Sequence, residues 1–298
     1  MLKFVITLLP ALLLTVSCST KRHRSKVQLE RSWARQTIQK IHLGYKYPAS
    51  ASPVIYKNLV IDGNSVDGLR AYYKKSGHLA WRLDLKLGLE GLYLEKDKLY
   101  FGANNGKFYQ VAAETGQILW SFPIQSESTS SPIARGNFIF HMAMNGSLYA
   151  FEKDSGRVLW VKTRPPREAI TIRGSTQPVF HNGRIYVGHS DGYFTSYNAT
   201  NGERMWQQRL ADNKKFNDID ASPVVTKSCL LVANYSDTLY CLSQTSGQII
   251  WKIRNEGGFQ PIYAKGDQVY YSSMSAIHLI DEKSGKIVKS FKADKDLG

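Results

Sequence analysis

A short motif that recurs along the chain limits the folds that this sequence can adopt. The pattern Gly-x-x-x-Trp ends five segments, at residues 76–81, 115–120, 155–160, 201–206 and 246–251. The tryptophans follow one another at intervals of 39, 40, 46 and 45 residues, and "SGKIVK" at 284–289 keeps the glycine but lacks the tryptophan. A period of about forty residues is typical of folds in which one supersecondary unit stacks on the next.

Each repeat predicts four short strands. Alternating runs such as "NFIFHM" and "GSLYAF" precede the motif, and most repeats begin with a small residue or glutamine followed by Pro-Val or Pro-Ile. Gly, Asn and Asp supply the turns between these runs. Four-stranded units at this period predict an all-β fold, a β-propeller, in which the glycine adopts a positive φ and the tryptophan packs on the neighbouring blade.

Six repeats are detected, from about residue 45 to residue 291. The segment "VQLERSWARQ" at 27–36 resembles an additional outer strand with its own Trp33. The sequence therefore leaves two arrangements open, six blades with an extra strand or an incomplete seventh blade.

The N-terminus predicts export. "MLKFVITLLPALLLTVS" has one early lysine and a short apolar run, which is typical of a secretory signal peptide over residues 1–17. "TVSC" resembles a bacterial lipobox, with Thr15 where leucine is usual, so Cys18 is predicted to carry a lipid; an ordinary signal peptide with an incidental cysteine is the alternative. Ser19 favours sorting to the outer membrane. Residues 18–26 form a basic tether, and residues 27–298 are predicted to be a single propeller domain.

The formal net charge of +15 is distributed along the chain, without an arginine-rich block or a nucleic-acid motif. Attraction to an anionic membrane surface or simple solubility explains this charge better than nucleic-acid binding. We therefore predict a membrane contact through the lipid anchor and no nucleic-acid partner.

Two further cysteines, Cys229 and Cys241, lie in "CLLVANYSDTLYCL". If this stretch is a hairpin that turns near residues 234–237, the two cysteines lie nearly opposite one another on neighbouring strands. An exported chain experiences oxidising conditions, so a disulfide is one interpretation, and two buried thiols are the other.

No catalytic constellation is visible in the sequence. The seven histidines show no metal-ligand spacing, and His189 in "GHSDG" is interpreted as a turn or rim residue. The chain also lacks a P-loop and a serine nucleophile elbow. We therefore predict a protein that is not an enzyme and that holds no metal and no cofactor.

Two neighbouring repeats carry long spacers between a motif tryptophan and the next signature proline, and a gap of 20 residues also separates Trp33 from Pro53. The two neighbouring spacers are 18 and 17 residues long, against 12 and 10 in the flanking repeats. They contain "RPPREAITIRGST" and "ADNKKFNDID", which emerge on one face of a propeller. Extended loops on a rigid ring are the expected place for function. Ile170 and Ile172 also fit a buried inner strand, so a contact surface and ordinary core remain alternatives here.

The repeat motifs resemble the quinoprotein-like repeat family and, within it, the BamB family of outer-membrane assembly lipoproteins. The match rests on "ITIRGSTQPV", "NGERMWQQRL" and "NDIDASPVV", which follow one another as the central blades of that family do. The family normally has eight blades, and six are detected here, which is a departure. Quinone-dependent dehydrogenases share the repeats, but this chain lacks their vicinal cysteine pair and an oxygen-rich calcium cluster.

The resemblance implies a scaffold in the outer-membrane β-barrel assembly (BAM) complex, lipid-anchored on the periplasmic face. It implies binding to the POTRA region of a BamA-like assembly core, with nascent outer-membrane proteins as further partners. The positions that match the family's contact motifs are Ile170, Ile172, Arg173, Asp218 and Asp220. Alternatives are a quinoprotein-like envelope scaffold with another protein partner, and a PQQ-dependent dehydrogenase.

Overall fold

A computed structural model describes residues 31–35, 51–85, 87–164, 176–211, 218–219, 221–235, 238–254, 261–273 and 276–292. The compact unit considered below runs from Trp33 to Gly298. Within the described residues the regular structure is entirely β, which confirms the predicted fold class. No described helix has the length and apolar character needed to cross a membrane.

The described strands form six sheets of four strands each. Sheets 1 to 3 contain β1 (Val54–Tyr56), β2 (Leu59–Asn64), β3 (Gly68–Tyr73) and β4 (Leu79–Asp84); β5 (Tyr93–Glu95), β6 (Lys98–Gly102), β7 (Lys107–Ala112) and β8 (Ile118–Pro123); β9 (Ile133–Arg135), β10 (Phe138–Met142), β11 (Leu148–Glu152) and β12 (Val158–Lys162). Sheets 4 to 6 contain β13 (Val179–His181), β14 (Arg184–Gly188), β15 (Tyr193–Asn198) and β16 (Arg204–Arg209); β17 (Val224–Val225), β18 (Leu230–Ala233), β19 (Thr238–Leu242) and β20 (Ile249–Arg254); β21 (Ile262–Lys265), β22 (Gln268–Ser272), β23 (Ala276–Asp281) and β24 (Ile287–Lys292).

Every sheet is an antiparallel meander in chain order. Because successive strands reverse direction, the connections between sheets share one side of the propeller with the turns between second and third strands. We call this the loop side. The turns between first and second strands, and between third and fourth strands, lie on the opposite side, which we call the glycine side because it carries the motif glycines.

A β-bulge recurs at the same place in all six sheets, between the third and fourth strands. In sheet 1, Ala71 pairs with Trp81 and Tyr72 pairs with Leu79, so Ala80 is the extra residue. The register shifts equivalently in the other five sheets. A bulge re-aims the side chains that follow it. The repeat motif therefore encodes both a turn and the bulge that precedes the tryptophan.

Each motif tryptophan packs on the motif glycine of the following sheet. A Cβ atom added to Gly116 would lie 2.5 Å from the Trp81 ring, and the glycines of the next four sheets are equally close to the preceding tryptophan. Each indole Nε1–H also donates to a backbone carbonyl beside that glycine, as Trp81 does to Ala113 at 3.2 Å. This contact confirms the predicted role of the tryptophans in blade-to-blade packing.

Trp33 makes the same contact with sheet 1 that the other tryptophans make with sheets 2 to 6. Its ring lies against Gly77, and its Nε1–H donates to the Lys74 carbonyl at 2.9 Å. Arg35 donates to the Gly77 carbonyl at 2.7 Å. Residues 31–35 are not in a strand, but Trp33 occupies the position of an outer-strand tryptophan.

The core lies between successive sheets. Leu59, Ile61 and Leu69 of sheet 1 pack with Leu99 and Phe101 of sheet 2, all of them buried. Equivalent apolar layers follow between the later sheets.

Sheet 6 departs from this pattern on the face that points away from sheet 5. Lys289 takes the position of the tryptophan, opposite Leu279, and β24 is exposed along its whole length.

Candidate functional site

Two long connections leave the loop side next to one another. The first joins β12 of sheet 3 to β13 of sheet 4, and the second joins β16 of sheet 4 to β17 of sheet 5. Their central parts, residues 165–175 and 212–217, lie outside the described residues. Their ends are described, and these ends carry a set of specific contacts that fixes where each connection leaves the propeller.

The first connection begins at an ion pair. Arg164 follows β12, and its Nη2 and Nε atoms donate to Oδ2 of Asp191 at 2.5 and 3.1 Å. Asp191 lies in the turn between β14 and β15, and the two side chains are only 21% and 12% exposed. A largely desolvated, doubly hydrogen-bonded pair is stronger and geometrically more specific than a surface ion pair. The pair therefore ties the start of the first connection to sheet 4.

The second connection begins beside the same cluster. The Arg164 guanidinium carbon lies 4.9 Å from the centre of the Tyr193 ring, and that of Arg209 in β16 lies 5.9 Å from it. Arg209 also donates to the Ala211 carbonyl at 3.1 Å, where the second connection starts. Guanidinium groups near an aromatic ring are attracted by its quadrupole. Tyr193 thus contacts the residues from which both connections begin.

The far ends of the two connections are joined directly. The Thr176 hydroxyl, where the first connection ends, donates to the carbonyl of Ile219, near the end of the second. Both residues are buried. A Cβ atom at Gly188 would lie 2.4 Å from the same carbonyl, so this close approach requires glycine. Both ends of both connections are therefore held on one patch of sheets 3 to 5.

Asp218 is the predicted contact residue that the structure describes, and it is fully buried. Its carbonyl accepts a hydrogen bond from the Tyr235 amide at 2.9 Å. Whether Asp218 contacts a partner stays a prediction, and its burial is also compatible with a residue that caps the turn before β17. Ile170, Ile172, Arg173 and Asp220 lie outside the described residues, as does the predicted lipidation site Cys18.

His189 lies beside this cluster in the turn between β14 and β15, as the turn interpretation predicts, and its carbonyl accepts a hydrogen bond from the Gly192 amide at 3.2 Å, but its side chain is buried and is not exposed at the rim. The side chain is 7% exposed, and neither ring nitrogen has a hydrogen-bond partner among the described residues. Burial, and secondarily the positive charge of Arg164, lowers its pKa to about 3. His189 is therefore a neutral, enclosed residue beneath the ion pair of Arg164 with Asp191.

Cys229 and Cys241 form a disulfide in the structure, with their Cα atoms 5.6 Å apart. The hairpin expected from the sequence is present, since β18 pairs with β19 and Leu231 lies opposite Cys241. Cys229 immediately precedes β18, so the bond crosses the hairpin diagonally.

Four residues of this cluster were not predicted from the sequence: Arg164, Asp191, Tyr193 and Arg209. The position of the two arginines could have indicated them, because each lies where an outer strand ends and a long spacer begins. Among the described residues, no group of three His, Cys, Asp or Glu side chains is arranged to hold a metal ion.

Comparison with known proteins places the chain in a family. The family model described as outer membrane protein assembly factor BamB matches residues 50–291. This chain belongs to the BamB family. An outer membrane protein assembly factor BamB from Shewanella oneidensis is 23% identical over 260 residues, which are 80% of this chain and 65% of that relative. The chain thus spans less than two thirds of the length of this relative.

Solved structures show the same fold. BamB from Moraxella catarrhalis matches with a TM-score of 0.71 at 19% identity, over 81% of this chain and 76% of that one. A quinohemoprotein alcohol dehydrogenase from Pseudomonas putida matches with a TM-score of 0.57 at 13% identity, over 80% of this chain and 52% of that one. The fold is therefore shared between assembly factors and enzymes.

Proposed function

We propose that this chain is a non-enzymatic scaffold of an outer-membrane β-barrel assembly complex. In this proposal a lipid on Cys18 holds it on the periplasmic face of the outer membrane. It binds the POTRA region of a BamA-like core and assists the insertion of outer-membrane proteins. The observation that carries the proposal is the BamB family match over residues 50–291, which runs from the first sheet to the last.

The two long connections supply the proposed contact surface. Ile170, Ile172 and Arg173 belong to the first connection, and Asp220 belongs to the second. Apolar side chains beside a guanidinium group are favoured interface anchors. Asp218 belongs to the second connection as well, and we assign it to the same surface as a supporting residue, because its side chain is buried.

The contacts at the ends of the connections favour this assignment. The ion pair of Arg164 with Asp191 and the hydrogen bond from Thr176 to Ile219 hold both connections on one patch. A loop whose ends are fixed loses less conformational entropy when it binds a partner. This part of the propeller is therefore suited to present two loops together, and such a surface needs no covalent chemistry.

Capture of the full lipidated chain from solubilised outer membranes tests the proposal. We expect a BamA-like protein to be recovered with it in a constant ratio over successive washes. Recovery of a different envelope protein without BamA would contradict the proposal and favour a scaffold with another partner. The mass of the peptide that begins at Cys18 reports separately whether the cysteine carries a lipid.

A further inference from the structure

A basic cleft lies on the glycine side of sheet 1, away from the two long connections. It has a volume of about 530 Å³ and lies between the turn that joins β1 to β2 and the turn that joins β3 to β4. We call it the lysine cleft; it is lined by Lys57, Asn58, Tyr73, Lys74 and Lys75. The proposed function uses none of these residues.

The charge of the lysine cleft is only partly neutralised. Lys57 pairs with Glu114 at 2.5 Å, and this acid also accepts a hydrogen bond from Tyr56. Lys74 and Lys75 are exposed and form no ion pair with any residue that the structure describes. Arg35 adds a positive charge at the same turn, where it donates to the Gly77 carbonyl. The cleft therefore presents the ammonium groups of Lys74 and Lys75 to solvent, and the Arg35 guanidinium lies at the same turn.

An aromatic side chain completes the cleft. Tyr73 is 44% exposed although it ends a strand whose other side chains are buried. Tyrosine combines an apolar ring with a polar hydroxyl, and it is enriched where proteins meet the headgroup region of a bilayer. Lysines around an exposed tyrosine are therefore suited to bind a lipid surface, which is anionic at its phosphates and apolar just below them.

The position of the cleft along the chain supports a membrane partner. Trp33 is fixed on the same turn through its contacts with Gly77 and Lys74. Fourteen residues, 19–32, lie between Cys18 and Trp33, and they include the basic stretch "KRHRSK". An extended tether of this length reaches at most roughly 50 Å. A lipid on Cys18, which is part of the proposed function, would therefore keep this turn within roughly 50 Å of the leaflet.

We infer that the lysine cleft docks on the anionic phospholipid surface of the membrane, with Lys74 and Lys75 at the lipid phosphates. This goes beyond the proposed function, because it assigns a second surface and an orientation to the propeller. The glycine side of sheet 1 faces the leaflet, and the loop side stays available for a protein partner. The attraction adds to that of the basic tether and falls as salt concentration rises.

Vesicle binding tests the inference in the full chain carrying Cys18→Ser, which removes the acylation site. Partitioning is measured onto vesicles of phosphatidylcholine with and without phosphatidylglycerol. Lys74→Glu/Lys75→Glu is introduced in this background. The control is Lys283→Glu/Lys286→Glu, which changes the charge by the same amount in the equivalent turn of sheet 6, where Lys283 pairs with Asp267 at 3.3 Å. Circular dichroism and tryptophan fluorescence confirm that each variant is folded.

We expect Lys74→Glu/Lys75→Glu to weaken binding to the anionic vesicles by about 30-fold, since each basic residue near an anionic leaflet contributes roughly a fivefold change. The control should retain most of its binding, and phosphatidylcholine alone should bind all variants equally weakly. Equal losses in the two double variants, or no loss in either, would overturn the inference. Recovery of BamA is expected to be unchanged by Lys74→Glu/Lys75→Glu, which separates this test from that of the proposed function.

Discussion

A glycine in a left-handed conformation receives the tryptophan of the preceding sheet. Gly116 has a φ of 74°, and the ring of Trp81 occupies the space that a side chain would need. Gly183 has a similar φ of 72°, but no heavy atom lies within 4 Å of its ideal Cβ position. A comparison of substitutions at these two glycines therefore separates the effect of backbone conformation from that of the tryptophan contact.

We predict that Gly116→Ala destabilises the protein more than Gly183→Ala. Both substitutions strain the backbone at a cost of about 1–2 kcal/mol, and Gly116→Ala adds about 1–3 kcal/mol by displacing the Trp81 ring. Denaturant unfolding followed by tryptophan fluorescence measures both values. Equal free energies of unfolding for the two variants would contradict the proposed role of the glycine.

His141 predicts a specific pH dependence. It is fully buried in β10, its Nε2 lies 3.2 Å from the Ser128 hydroxyl, and its ring lies 4.8 Å from that of Phe108. Burial lowers its pKa from 6.5 to about 3 in the folded protein. Because the unfolded chain then binds a proton that the folded protein does not, stability is complete above pH 6.5 and is lost as the pH falls towards 3.

Replacement of His141 by glutamine removes this titration and retains a side chain that can form a hydrogen bond with Ser128. Between about pH 7 and about pH 5, the parent protein should lose roughly 2 kcal/mol more stability than His141→Gln. Unfolding free energies at the two pH values measure the difference. His78→Gln, at an exposed histidine, serves as the control. Parallel stability curves for the parent and His141→Gln would contradict the assignment.

At the scale of single elements, a disulfide bond crosses the hairpin of β18 and β19. Cys229 and Cys241 are twelve residues apart and are both buried. Closing a loop of this length restricts the unfolded chain and is expected to stabilise the folded one by about 3 kcal/mol.

We predict that this bond is present in the exported protein. Thiol titration of the denatured, unreduced chain should detect neither Cys229 nor Cys241, and both should appear after reduction. Cys229→Ala/Cys241→Ala should lower the free energy of unfolding by about 3 kcal/mol. Two reactive thiols in the unreduced protein would show that these cysteines are instead small buried side chains.

The repeating elements could be predicted because the sequence presents each position several times. The start of β13 beside Pro178 and the loss of tryptophan at residue 289 both followed from aligning the repeats. The same alignment could have placed His189 correctly, since Ala103 and Ala143 take its position in sheets 2 and 3 and are buried. His189 does lie in a turn, but its polar neighbours gave no sign that its side chain is buried.

The connections between the repeats could not be predicted in this way, because they have no internal counterpart. The burial of Asp218 depends on contacts between residues far apart in sequence, such as the hydrogen bonds of Tyr235 with Asp218 and of Thr176 with Ile219. Local patterns of polarity carry no information about such contacts. The ion pair of Arg164 with Asp191 was missed for the same reason.

At the scale of the whole molecule, the two sides of the propeller carry different chemistry. The loop side holds two tied connections at sheets 3 to 5, and the glycine side holds the lysine cleft at sheet 1. The first is assigned to a protein partner and the second to an anionic membrane. Neither side is assigned covalent chemistry, and the loop side is proposed to bind the assembly core.

Recovery of BamA with Arg173→Glu tests that claim most directly. Arg157→Glu is the matched control, because Arg157 is 65% exposed and lies in a turn on the glycine side. Loss of an anchoring arginine at an interface typically costs at least about 2 kcal/mol, so the affinity for BamA should fall by about 30-fold or more. Arg157→Glu should bind as the parent does. Undiminished recovery of BamA with a folded Arg173→Glu protein would contradict the central claim.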